Sequence, residues 1–225
     1  KGELGYSRFD IPHRISLQAS YTTPKYLNGW MSTTVGITYN ASPGGRYSLS
    51  YDDAKDFNGD GSRGTTLLYI PTDKELEDMN FVDNFDKQGN LIMSKEESRE
   101  AFRQWILNDD YAKNHRGQFA ERNSNLTKWE HEINLHVAQD IFYLKERGSK
   151  IQVTFDVINF ANMLNKKWGA NYYLPYNLTP VTVSGSTNAD GILVPEYTFK
   201  DQSNVLTKND ISSRWHCQVG VRLTF

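Results

Sequence analysis

The chain has 225 residues and one cysteine, Cys217, so it allows no internal disulfide and no C-x-x-C metal or redox site. It has no run of the roughly 18 apolar residues that a transmembrane helix requires. Its opening stretch, Lys1–Tyr6, lacks the apolar core of a signal peptide. Hydrophobic residues make up 38%, a low share for a water-soluble globular domain. The net charge of −2 and the scattered basic residues argue against a polyanionic partner, and no nucleic-acid motif occurs. Five histidines are present, none in H-E-x-x-H spacing, and no G-x-S-x-G is found. The chain is expected not to be an enzyme.

Aromatic residues, by contrast, reach 13%, with 13 Tyr and 5 Trp. Low hydropathy with many Tyr and Trp suits a transmembrane β-barrel, in which alternate residues face lipid and aromatics form girdles at both interfaces. It also suits a secreted carbohydrate-binding β-sandwich. Periodicity separates the two. Five segments alternate apolar and polar residues with period two, at about 14–22, 30–40, 129–144, 150–160 and 213–225. In the last, Trp215, Cys217, Val219, Val221, Leu223 and Phe225 alternate with Arg214, His216, Gln218, Gly220, Arg222 and Thr224. A one-residue slip would turn two Arg and a His onto the apolar side, so the register is strongly specified.

The connections alternate too. Residues 23–29 and 145–149 are short turns, whereas 41–128 and 161–212 are long. Barrels of the bacterial outer membrane have short periplasmic turns and long extracellular loops. The expected fold is therefore all-β: an antiparallel transmembrane barrel segment, 1–225 forming the C-terminal part of one barrel domain with long loops that contain short helices. The last strand descends, with Trp215 near the outer girdle and Phe225 near the inner one. Because bacterial single-chain barrels have even strand numbers, further strands are expected upstream of Lys1.

In the first long loop, Ser94-Lys-Glu-Glu97 is a capping box leading into Ala101, Phe102, Trp105 and Ile106 at helical spacing, and Asp73–Met79 reads as another short helix. Asp56-Phe-Asn58-Gly-Asp60-Gly61 matches the first half of a calcium-binding D-x-N-x-D-G loop, with oxygen ligands at alternate positions. Leu67 stands where an EF-hand has its bidentate Glu, so closure would need Ser62, Asp52, Asp53 or a more distant acid; an Asx/Gly-rich turn without metal is the alternative. Asn159–Asn165 marks the exit of the fourth strand, where Asn side chains satisfy free backbone groups. Tyr172, Tyr173 and Tyr176 in the second long loop are candidate ligand-stacking residues. The segment Ile192–Phe199 is expected as half of a hairpin.

Several motifs together resemble one family: Asp10-Ile-Pro-His-Arg14, Asp56–Gly61 continuing to Leu68-Tyr-Ile-Pro71, His115-Arg-Gly117, Ala120-Glu-Arg-Asn123 and Asn159–Asn165. The chain resembles the C-terminal barrel region of TonB-dependent outer-membrane receptors, of the Oar-like type found in Bacteroidetes. The resemblance implies a roughly 22-stranded plugged barrel that captures a ligand with its extracellular loops and imports it with energy relayed through TonB. The plug and TonB box of such receptors lie in an N-terminal region that this sequence does not include. Expected partners are outer-membrane lipid, the upstream plug and barrel, TonB, a surface lipoprotein and the barrel assembly machinery. Val221-Arg-Leu-Thr-Phe225 resembles the signal that this machinery reads, with Phe225 as its terminal aromatic. Other readings are a structural or secretion-associated barrel without transport, and the β-sandwich above.

Overall fold

The computed structural model describes residues 4–53, 61–62, 64–144, 149–175, 177–187, 189–190, 193–203 and 205–225. The described chain is mostly β, in largely antiparallel sheets, and no helix is long and apolar enough to cross a membrane. It divides into two compact units.

The sheet unit comprises Ile11–Gly44, Thr127–Tyr173 and Thr207–Phe225. Its five strands are β1 (Ile15–Thr22), β2 (Met31–Pro43), β3 (Trp129–Leu144), β4 (Ser149–Ile158) and β5 (His216–Thr224). They form one sheet in the order β1-β2-β3-β4-β5, every neighbouring pair antiparallel. The period-two pattern dictates this arrangement, since pairing in register keeps each strand's apolar residues on one side. The β1–β2 turn closes through Leu27, Asn28 and Gly29, all with positive φ. Glycine adopts that backbone without steric cost and asparagine tolerates it, and Gly29, at φ 84°, has the largest φ of the three.

The strand limits differ from expectation in three places. β2 runs on to Pro43, because Ala41 and Pro43 still pair with His131 and Trp129 of the long β3. β5 begins at His216 instead of Ser213. A short helix, Asp210–Ser213, occupies the approach, and the Asn209 side chain accepts the backbone N–H of Ser212 to cap it. Trp215 thus precedes the strand. β4 ends at Ile158 because Asn159 turns left-handed, with φ 55° and ψ 48°.

The loop unit comprises Lys1–Asp10, Gly45–Leu126 and Leu174–Leu206. Residues 178–187 and 193–199 form the expected hairpin, and the first of its strands also pairs, in parallel, with Leu49–Asp53. Helices follow from two capping boxes: α1 (Asp73–Asp78) from Thr72 and Glu75, and α2 (Lys95–Asn108) from Ser94 and Glu97. The apolar stripe of α2, Phe102 and Ile106, joins Leu49, Leu68, Ile70, Leu76, Phe81, Leu178, Val181 and Val183 in one core. Both long connections contribute to it. Buried Ser98 of α2 accepts the backbone N–H of Phe199 at 2.6 Å, tying helix to hairpin.

Candidate functional site

The sheet unit presents two chemically opposite faces. On one, the register aligns Tyr21, Val35, Val137, Phe155 and Val219 in a row across all five strands. The next row on one side adds Ala19, Ile37, Leu135, Val157 and Cys217; towards the short turns the next adds Val153 and Val221, and the one beyond it Ile141, Ile151 and Leu223. This apolar face is largely open: Leu17 is 61% exposed, Val219 65% and Val221 73%. An uncovered apolar surface this broad marks a site of contact with lipid or another protein.

Polar residues interrupt the face at the Thr33–Gln139 pair. Gln139 takes the place where alternation asks for an apolar side chain, and its oxygen accepts from Tyr26 Oη at 2.9 Å and Thr33 Oγ1 at 2.7 Å. Its amide donates to the Ser32 carbonyl. The amide is therefore satisfied within the sheet, as a group shielded from water requires.

The opposite face is polar and internally paired. His136 and Asp156 lie opposite each other on β3 and β4, 2.5 Å apart. Asp140 accepts from Lys150 at 2.6 Å and Gln152 at 2.8 Å. Ser16 bonds Asn40, and Thr22 bonds Thr34. His131 and His136 fall on opposite faces, as their spacing predicts. Arg14, Asn40, Glu130, Glu132 and Asn171 surround a cleft of about 290 Å³.

Aromatic residues collect at the two ends of the apolar face. Towards the long connections, Tyr39, His131 and Trp129 stack in sequence, and Tyr39 Oη lies 2.9 Å from His131 Nδ1. Towards the short turns stand Tyr26, Trp30 and Phe225. Beside the first group, Trp129, His131 and Ile133 form one wall of a cleft of about 400 Å³, closed by Lys128, Lys167, Trp168 and Tyr172. The segment that supplies the second wall is held by asparagines: Asn159 Nδ2 donates to the Gly169 and Ser213 carbonyls, and Asn162 Nδ2 to those of Lys166 and Trp168. The role expected of this Asn-rich segment is the one observed.

In the loop unit a cleft of about 510 Å³ lies among Arg8, Tyr51, Asp52, Pro175, Asn177, Lys200 and Gln202. Lys200 and Asp52 pair across it at 2.5 Å. Burial pushes the Tyr51 and Tyr197 phenols above their ordinary range, and burial with the nearby Asp109 carboxylate pushes Tyr47 up to about 12, so all three stay neutral.

Of the residues singled out from sequence, Asp56, Asn58, Asp60 and Tyr176 lie outside the described residues. Among the described residues no cluster of three or more His, Cys, Asp or Glu side chains is poised for a metal. The acids considered for closing the calcium loop have other contacts: Asp52 pairs with Lys200, and Asp53 accepts from the Gly64 N–H and from Thr66 Oγ1. Tyr172 and Tyr173 pair with Lys208 and Thr207 in a two-residue ladder. Adjacent strand residues point to opposite sides, so they do not make one stacking platform; Tyr172 is the one that enters the aromatic cleft. Tyr197 and Phe199 pack against the loop unit's core. Phe225 is almost wholly exposed, continuing the apolar alternation of β5. The aromatic cleft itself was not anticipated, although the run Lys166-Lys167-Trp168 signals it. Compared with protein-family models, curated proteins and solved structures, the chain matches none.

Proposed function

We propose that this chain is part of the wall and outer loops of an outer-membrane barrel that acts as a TonB-dependent receptor, binding and importing a ligand without chemical conversion. The observation that carries the wall is the sheet with one open apolar face and one paired polar face. Lipid is the solvent that makes the first favourable, and a water-filled lumen suits the second. On β3 the apolar positions from Ile133 to Ile141 extend about 27 Å at ~3.3 Å per residue, enough for a tilted strand to cross a hydrocarbon layer. The exposed outer edges of β1 and β5 call for further strands, because an open edge is not tolerated inside a bilayer. Transport is supported by the motif resemblance and by the loop unit's cleft, whose mixed lining of Tyr51, Leu174 and Val205 with Arg8, Asn177 and Gln202 is suited to ligand capture. The spacing Asp56-x-Asn58-x-Asp60-Gly61 supports a structural calcium ion in that unit; replacing Asp60 with Ala should lower its protease resistance in calcium and change nothing in chelator.

Native Cys217 gives a direct test of the wall, since it is exposed on the apolar face beside Val219. In the whole protein in membranes, with other cysteines removed, Cys217 should react with a lipid-soluble maleimide and resist a water-soluble one. Moving the thiol one residue, in Cys217→Ser/Gln218→Cys, should reverse the pattern. Equal reactivity at both positions would sink the wall. Uptake of the ligand should be lost both in cells lacking this protein and in cells lacking TonB; uptake that survives loss of TonB leaves a barrel without energised transport.

A further inference from the structure

Five cations gather where the sheet unit's strands meet the long connections: Lys128, Lys166, Lys167, Lys208 and Arg214. All five are exposed, and among the described residues none of them forms an ion pair. They line two clefts. The first is the aromatic cleft of Trp129, Trp168 and Tyr172, which holds Lys128 and Lys167 and no carboxylate. The second, of about 490 Å³, lies among Met163, Lys166, Lys208, Arg214 and Trp215, with Asp210 as its one acid. The polar-face cleft of the same unit is different, because Glu130 and Glu132 there outnumber Arg14. Of these three clefts, only the two in this band carry more cations than carboxylates.

The same band exposes large apolar side chains. Trp129, Trp168, Trp215, Met163 and Leu164 are open, and Ile211 is 88% exposed. Unpaired cations interleaved with exposed Trp and aliphatic groups are poorly placed in water alone. At a bilayer interface both are satisfied, since Trp rings settle at headgroup level and long Lys and Arg side chains reach outward to phosphate. A free phosphate would answer the charge but leave the apolar groups in water. A lipid answers both.

We propose that this band is a binding site for the phosphorylated headgroup of a lipid, its phosphate held by Lys128 and Lys167 over Trp129 and Trp168 and its acyl chains lying on the apolar face. The inference rests on the barrel-wall reading and deepens it, giving the leaflet at the long-connection end a preferred, anionic neighbour. Its test uses the whole protein in nanodiscs of phosphatidylcholine that contain a variable fraction of brominated phosphatidylglycerol or brominated phosphatidylcholine. Bromine quenches nearby tryptophan, and the Trp168 share of the quenching is the difference between the protein and its Trp168→Phe variant.

Half-maximal quenching of that share should need about fivefold less of the anionic lipid than of the zwitterionic one, a modest preference for two partly screened lysines. In Lys128→Gln/Lys167→Gln the preference should disappear while quenching by phosphatidylcholine persists, which also shows that the variant is folded. Equal quenching by the two lipids, or a preference unchanged in the double variant, overturns the site and leaves the wall standing. Absence of quenching by either lipid overturns both.

Discussion

In the loop unit Leu49, Leu68, Ile70, Phe102 and Ile106 have no exposed surface, whereas in the sheet unit Val219, Val221 and Leu223 are each more than half exposed. Both sets are aliphatic or aromatic residues placed by regular periodicity, at 3.6 residues along α2 and at two along β5. They differ in what surrounds them. The loop unit wraps its apolar residues with helices and a hairpin, as a structure stabilised in water must. The sheet unit leaves its apolar residues open and pairs polar groups with one another: Gln139 with Tyr26 and Thr33, and Asp140 with Lys150 and Gln152. One chain thus holds two arrangements of its apolar residues, enclosed in one unit and open in the other.

A reciprocal pair of substitutions would break that comparison. Phe102→Ala removes a fully buried ring that packs on Trp105 and Phe81, and should cost the loop unit about 3–5 kcal/mol. Limited proteolysis of the whole protein should then cut within 45–126 while the strands stay protected. Val35→Arg places a charge in the middle row of the apolar face. In a bilayer it should cost about 2–4 kcal/mol, read from denaturant-dependent refolding into lipid vesicles. At a water-facing strand position the same change would stay within about 0.5 kcal/mol. A neutral Val35→Arg in vesicles would mean that the two units share one solvent after all.

The sheet was readable from the sequence because its signal is local and repeated. Tyr21, Val35, Val137, Phe155 and Val219 each sit in an alternating run, and aligning the runs leaves little freedom of register. The capping box at Ser94 was readable for a similar reason, since it fits within four residues. The parallel pairing of Leu49–Asp53 with Leu178–Thr187 was not, because more than a hundred residues separate the partners and nothing local specifies it. The shared core of the two long connections was hidden by the same distance. The helix at Asp210–Ser213 was missed because Ser213, Arg214 and Trp215 continue the alternation of β5, and the Asn209 cap decides the matter only through its bond to Ser212. The cationic band was scattered over three segments, so its charge became visible only when Lys128, Lys167 and Lys208 came to lie at one end of the sheet unit.

The smallest effect, and the finest distinction between the units, concerns acid. Glu97 accepts the backbone N–H and the hydroxyl of Ser94, and Glu75 does the same at Thr72 while also accepting from Tyr69. These bonds favour the ionised form and hold both carboxyls below their ordinary range. The Arg116 guanidinium, donating twice to Asp73, does the same there. A carboxyl whose pKa is lowered by folding takes up its proton more readily when unfolded. Its contribution is complete above the unfolded value, near pH 4 to 4.5, and is lost as pH falls through the lower folded one. The loop unit should therefore loosen at α1 and α2 below about pH 4, seen as faster hydrogen exchange of their amides. Ser94→Ala should cost about 1 kcal/mol at neutral pH and blunt that acid response in α2. The amides of β3 and β4, locked in a ladder whose apolar side carries no titratable carboxyl, should exchange independently of these caps. If Ser94→Ala leaves the acid response of α2 intact, the capping box is not what ties this helix to pH.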